Sequence, residues 1–248
     1  MGTSIALVGI DGAGKSEQVS WLIRSPDIKF PVKSYSSPGG TDIGLYLREC
    51  LLYRTTTPAV KRFMFLLDHA LLQEQIESDS ATALLDRSLV CNVVYELGFT
   101  PKEYVDILLR MDLRFPQTII FLGIDPQIAI QRCSNRENGV KEELMMLENA
   151  KLQNPQVTSL SDYFELLNSR YLETLKILSE KGLSDVHFID AHAEREVIHD
   201  KIKSIVGYHT LRHSNGVLLY GEKTLQTNSS KVSFDNVKQL YDAMFRTP

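Results

Sequence analysis

The sequence has no apolar run approaching the ~20 residues that a bilayer-spanning helix needs. Its first apolar stretch, Ile5-Ala6-Leu7-Val8, is short, has no basic lead-in and is followed by no cleavage site, so neither a membrane anchor nor a secretory leader is expected. Cysteine is scarce. Cys50, Cys91 and Cys133 are scattered, form no CxxC or Cys/His pair and cannot pair evenly, which disfavours a disulfide framework and makes the cytoplasm the expected location. An excess of positive charge is missing too: 27 Lys and Arg face 31 Asp and Glu, for a net charge of −4. Gripping a nucleic-acid backbone needs the opposite balance, so no nucleic-acid partner is expected. Internal repeats and low-complexity segments are also lacking. What is present, 43% hydrophobic and 23% charged residues over 248 positions, suffices to bury the core of one soluble α/β domain.

Five short apolar runs, often β-branched, predict strands at 4–8, 32–35, 83–85, 118–124 and 186–189. Between them apolar residues recur three and four apart, as in Val19-Leu22-Ile23, 60–76, Tyr104-Ile107-Leu108 and 163–178, which is the period of a helix. The alternation predicts a parallel sheet covered on both faces, and the unbroken apolarity of 118–124 suits a strand buried on both sides. Pro38-Gly39-Gly40 breaks the chain after the second strand, and Asp125-Pro126 opens a helix with Pro at its first position. The polar segment 135–141 reads as a flap between helices. The rhythm ends near Tyr208, which divides the chain into a main domain, 1–208, and a C-terminal extension, 209–248. That extension holds a candidate strand at 216–220 and an amphipathic helix at 235–245. It is too short to stand alone and is expected to dock on the main fold or to contact a partner, such as a second copy in a homodimer.

Gly9-Ile10-Asp11-Gly12-Ala13-Gly14-Lys15-Ser16 fulfils GxxxxGK[ST] between a predicted strand and a predicted helix, the context that this phosphate-binding loop requires. Glycines let backbone N–H groups curl around phosphate oxygens, and the helix N-terminus adds partial positive charge. ATP is therefore the expected ligand, with Lys15 on its β/γ-phosphates and the Ser16 hydroxyl on Mg²⁺.

Asp86-Arg87 follows the third apolar run directly. Ligands of an open parallel sheet collect at the carboxyl ends of its strands, which brings Asp86 toward the metal and Arg87 toward a phosphate. Elsewhere such a pair would read as a surface ion pair of little consequence.

With those residues in hand, the chain resembles the thymidylate kinase family of nucleoside monophosphate kinases from about residue 5 to residue 206. The loop Asp11-Gly12-Ala13-Gly14-Lys15-Ser16 resembles the family's P-loop. Pro38-Gly39-Gly40-Thr41 with Ile43-Gly44 resembles REPGGTxxG, and Phe65-Leu66-Leu67-Asp68-His69 resembles the LFAADR helix. Asp86-Arg87 with Asn92 and Tyr95 is similar to DRYxxSNxAY, and Tyr163-Phe164-Glu165 with Tyr171-Leu172-Glu173 is similar to FFERVRExYLEL.

The resemblance implies a P-loop NTPase fold of three α/β/α layers, its five-stranded parallel sheet in the order 2-3-1-4-5, with a helical lid near 132–145. It implies an ATP site of Gly9, Ile10, Asp11, Gly12, Ala13, Gly14, Lys15, Ser16 and Arg132, and a catalytic set of Lys15, Asp86, Arg87, Asp11 and Arg136. Ser16 and Asp86 would hold the metal, and Arg132 and Arg136 would close on the ATP phosphates. The implied acceptor site is Pro38, Phe65, His69, Arg87, Asn92 and Tyr95. In it Phe65 stacks on the base, Asn92 bonds the base edge, Tyr95 packs on the sugar and Arg87 holds the acceptor phosphate. From the residues alone, Phe65 and Tyr95 also read as core aromatics, and His69, Arg132 and Arg136 as solvated surface.

Two positions depart from the family pattern: Ser36 stands before Ser37-Pro38 where the family carries Arg, and His69 stands where its helix ends in Arg. Losing a charged hydrogen bond at such a site is worth ~1.5–3 kcal/mol. The expected activity is ATP-dependent phosphorylation of a pyrimidine deoxynucleoside monophosphate, with dTMP as the leading acceptor. A kinase for a modified or different small phosphoacceptor, and a weakly active nucleotide-binding regulatory protein, remain open at this point.

Overall fold

Each apolar run becomes a strand. The computed structural model describes residues 3–28, 30–53, 57–135 and 139–213. Strands β1 (Ser4–Val8), β2 (Val32–Ser36), β3 (Thr82–Asp86), β4 (Thr118–Gly123) and β5 (Asp185–Asp190) form one parallel sheet in the order β2-β3-β1-β4-β5. Every residue of β4 is buried, as are Ile5–Val8 of β1 and Thr82–Leu85 of β3. Side chains alternate between the faces of a strand, so these central strands are covered on both sides. The outer strands β2 and β5 keep exposed positions, where the sheet ends. Each fully buried Leu or Ile of this core contributes about 1.5–3 kcal/mol, which makes the central strands a firm mount for the loops that leave them.

The intervening helices are α1 (Lys15–Arg24), α2 (Asp42–Tyr53), α3 (Pro58–Ser78), α4 (Leu89–Tyr95), α5 (Pro101–Arg110), α6 (Pro126–Ser134), α7 (Gly139–Gln153), α8 (Leu160–Glu180) and α9 (Arg195–His213). Their starts are written locally. Thr57 caps α3 ahead of Pro58, and Thr100/Glu103 and Ser159/Asp162 form reciprocal capping boxes on α5 and α8. Helix α8 packs on α4, α5, α6 and α7, and α1 packs on α9. None of the described helices is long and apolar enough to cross a membrane.

Register assembles the site. Leu7 pairs with Asp86, and Ser36 pairs with Asp86 from the other side. The loops after β1, β2 and β3 therefore leave the sheet side by side, bringing the P-loop, the Ser36-Ser37-Pro38 turn and Asp86-Arg87 to one edge.

Two boundaries differ from the sequence reading. The segment 135–141 is not all flap, because α7 begins at Gly139; a run of helix formers (Glu142, Glu143, Leu144, Met145) draws the helix back into it. Helix α9 continues past Tyr208 to His213, with His209 and Thr210 buried. His209 Nε2 lies 2.8 Å from His187 Nε2 on β5, and the Thr82 and Thr210 hydroxyls lie 3.3 Å apart. The first residues of the expected extension thus belong to the main body. The candidate strand at 216–220 and the amphipathic stretch at 235–245 lie outside the described residues.

Candidate active site

The P-loop owes its path to two glycines above all. Gly14, at φ +91°, caps α1 in the left-handed region, where a side chain would be strained. At Gly12 (φ +87°) an added Cβ would come within 2.6 Å of the Ala129 carbonyl oxygen, so only glycine lets α6 pack against the loop. Lys15 is only 5% exposed; its Nζ donates to the Ile10 carbonyl (2.9 Å) and lies 3.7 Å from Asp11 Oδ1. Burial lowers the Lys15 pKa, while Asp11 beside it pulls the other way. Ile10 itself is fully buried and shapes the loop from beneath.

Asp11 is the hub. Its Oδ1 pairs with the Arg87 guanidinium and its Oδ2 accepts from the Tyr95 hydroxyl at 3.3 Å. The Arg87 guanidinium also lies 5.8 Å from the Tyr95 ring centroid. Asp11 holds Arg87 well above the ordinary arginine range, and burial first, then Asp11, raises the Tyr95 phenol, which stays a donor at neutral pH. Arg87 adopts φ +69°, a left-handed conformation that costs a non-glycine residue about 1–2 kcal/mol. Such strain persists where the surroundings over-determine it, and the Asp11 pair does so here. Asp86 Oδ1 is shut off from solvent with no hydrogen-bond partner among the described residues. A buried carboxylate oxygen calls for a cation, and the Ser16 hydroxyl at the start of α1 adds a second hard oxygen donor, so this pair fits Mg²⁺.

On the other wall, the Ser37 hydroxyl donates to Asp68 Oδ2 (2.6 Å) and lies 3.3 Å from His69 Nε2. A hydroxyl has one proton. With that proton on Asp68, His69 must donate to Ser37, which selects its Nε2–H tautomer. His69 is 8% exposed, and burial pushes its pKa down to about 4. It is therefore no solvated surface residue but a neutral pin between the β2 loop and α3.

That pin sets a pH dependence. The unfolded imidazole takes its proton near 6.5 and the folded one only near 4, so below 6.5 the unfolded chain binds more protons. Stability is complete above pH 6.5 and falls as pH drops toward 4, by about 3 kcal/mol. Urea unfolding of wild type and His69→Gln from pH 7 to pH 4 is expected to show a steeper loss in wild type; parallel curves would remove this contribution.

A cleft of about 1180 Å³ joins these walls. Of the residues singled out from sequence, Asp11, Gly12, Ala13, Gly14, Lys15, Ser16, Pro38, Phe65, His69, Asp86, Arg87, Asn92, Tyr95 and Arg132 line it. Phe65 and Tyr95 are half-buried on its wall rather than sunk in the core. Arg132 donates to the carbonyls of Gly12 (3.4 Å) and Ala191 (3.3 Å), which ties it to the P-loop side. Asn92 is buried, and its Nδ2 has no partner among the described residues. Arg136 lies outside the described residues.

Other lining residues were not anticipated. Arg48 Nη1 and Ser36 Oγ lie 3.7 and 3.8 Å from the point where a side chain on Gly39 would begin, so α2 brings a cation to the turn that follows β2. Arg62 on α3 makes a two-pronged ion pair with Glu96, at 2.9 and 2.8 Å, and lies over Phe99 at 4.9 Å. Behind the wall, buried Arg170 donates to the carbonyls of Val94 (2.7 Å), Val93 (2.9 Å), Glu96 (2.7 Å) and Phe99 (3.1 Å), clamping the end of α4. The only sequence signal for Arg170 is a charge within the apolar face of α8.

Known proteins resemble this chain in sequence and in fold. The family profile described as Thymidylate kinase matches residues 7–202. A thymidylate kinase of Campylobacter jejuni subsp. doylei is 30% identical over 214 residues, covering 82% of this chain and 98% of that protein. One from Helicobacter acinonychis is 28% identical, covering 82% of this chain and 97% of the relative. In fold, the chain is similar to a thymidylate kinase from Candida albicans (TM-score 0.59, 20% identity, 84% of this chain and 92% of that one). It is also similar to a deoxyadenosine kinase from M. mycoides (TM-score 0.56, 18% identity, 83% and 100%).

Proposed function

Because the chain belongs to the thymidylate kinase family of nucleoside monophosphate kinases, we propose that it transfers the γ-phosphoryl group of ATP to a pyrimidine deoxynucleoside monophosphate, converting dTMP to dTDP. The observation that carries this reading is the Asp11–Arg87–Tyr95 cluster, which joins the P-loop to an aromatic wall within one cleft. Lys15 neutralises charge on the β/γ-phosphates, and Arg132 flanks them from α6. Arg87 holds the acceptor phosphate in line, assisted by Arg48. Phe65 stacks on the base, and Tyr95 packs on the sugar where a 2′-hydroxyl would crowd it. Ser16 and Asp86 would hold Mg²⁺, which when bound offsets charge on the phosphate oxygens. Positioning and charge do most of the work in such a transfer, and a closed cleft keeps water from taking the phosphoryl group.

Cys50, Cys91 and Cys133, none of them joined in a disulfide among the described residues, fit a reducing, cytoplasmic location. Self-association as a homodimer belongs to the same proposal, supported by Phe63 and Leu67, exposed large apolar residues on α3. A second acceptor, a modified pyrimidine nucleotide, is favoured by one observation: His69 is tied to Ser37 where the family carries arginine. A coupled ADP-release assay over a panel of nucleoside monophosphates tests the reading. Release is expected with dTMP and magnesium and not with purine monophosphates; release driven by a purine instead would overturn it.

A further inference from the structure

Resting on the reading of Arg132 as a cation of the ATP site, we propose that His192 is a positioning residue for ATP binding: its ring ties the turn after β5 to the start of α6 and so holds Arg132 against the P-loop. Register brings the two ends together. Asp190, at the end of β5, pairs with Gly123 at the end of β4, two residues before Asp125 caps α6. His192 bridges them with both ring nitrogens. Its Nε2 lies 3.2 Å from the Asp125 backbone nitrogen, whose N–H can only donate, so Nε2 accepts and carries no proton. The ring proton therefore sits on Nδ1, which donates to Asp190 Oδ1 at 2.6 Å. The same oxygen accepts the His192 backbone N–H at 2.9 Å, which pinches Asp190-Ala191-His192 into a tight turn.

Arg132 meets that turn from α6. Its Nη2 donates to the Ala191 carbonyl, between the two residues that the imidazole clamps, and its Nη1 donates to the Gly12 carbonyl in the P-loop. Further N–H groups of the guanidinium remain for a phosphate oxygen. Ala129 lies one turn before Arg132 on α6, and its carbonyl is what a side chain on Gly12 would strike. A shift at the start of α6 would therefore move Arg132 and the surface against Gly12 together. The bonds form a closed circuit: from Asp125 through His192 and Asp190 to Ala191, then through Arg132 and back along α6. Ala191 and Arg132 line the cleft and His192 does not, so the histidine acts through Arg132. A turn that served only the surface would need no more than the backbone bond to Asp190; the imidazole adds the reach to α6, and supporting bonds of this kind fix the rotamer of a binding residue.

The test is the Kd for Mg-ATP, measured by calorimetry without acceptor, in wild type and in variants at His192 and Arg132. His192→Ala is expected to weaken ATP binding about fivefold, with the KM for dTMP unchanged. His192→Gln, whose amide oxygen can still accept from Asp125, is expected to stay within about twofold of wild type. His192→Asn, too short to reach Asp125 yet still a donor to Asp190, is expected to match the alanine and keeps the test open if His192→Ala fails to fold. Combined with Arg132→Ala, His192→Ala is expected to add no further loss, because its effect runs through that arginine. Additive losses, wild-type affinity in both short variants, or a glutamine no better than alanine would each overturn the inference. Wild-type ATP affinity in Arg132→Ala would remove Arg132 from the ATP site and this inference with it. Failure of the wild type to phosphorylate any pyrimidine monophosphate would sink the acceptor reading alone, since the ATP titrations contain no acceptor.

Discussion

Lys15→Ala is expected to lower kcat by about 10³-fold while leaving the protein folded, since removing a preorganised charge from a phosphoryl-transfer site has effects of this order. Although Lys15 is buried, its loss strips few structural contacts. Asp11 loses the lysine 3.7 Å away but keeps Arg87 and Tyr95, and the Ile10 carbonyl keeps the Ala13 N–H. The lysine is held desolvated beside the Asp11 carboxylate, with burial lowering its pKa, so a phosphate group arriving beside it finds a cation with little water to displace. Turnover and thermal melting of the two proteins are measured side by side. Normal turnover by the variant would take the P-loop lysine out of the mechanism.

Arg87→Ala is expected to cut kcat/KM for the acceptor by about 10²–10³-fold, with little change in ATP affinity. The geometry makes the expectation specific. Arg87 is held by Asp11 and leans over Tyr95, in the cleft that Phe65 and Asn92 also line. Its backbone, at φ +69°, disfavours any side chain, so Arg87→Gly is expected to be about 1 kcal/mol more stable than Arg87→Ala at equal loss of activity. Separate titrations of ATP and dTMP decide the matter: weakened ATP binding with intact acceptor binding would reverse the assignment.

The parts of this site that could be read ahead of the structure are those encoded by neighbours in sequence. The P-loop declares itself in eight consecutive residues, and Asp86-Arg87 declares itself by following a strand. The strands followed from local apolarity, and the register of β1, β2 and β3 then placed their loops together without further signal. What stayed hidden depends on contacts across the chain. Arg62 and Glu96 are 34 residues apart, and Arg170 reaches carbonyls 71 to 77 residues away. No periodicity announces a pairing of that kind. His69 could be placed at the cleft, yet its neutral state follows from burial and from Ser37, which only packing supplies. The end of α9 was missed because His209 and Thr210 look polar in sequence, while in the fold they are buried beside His187 and Thr82.

The most direct measurement follows the phosphorus itself. Wild-type protein is incubated with Mg-ATP and dTMP, and the products are resolved by ³¹P NMR. One dTDP is expected for each ADP formed, with no inorganic phosphate accumulating in step. ADP and free phosphate appearing together over unchanged dTMP, or no turnover at all, would contradict the assignment of this chain as a pyrimidine deoxynucleoside monophosphate kinase.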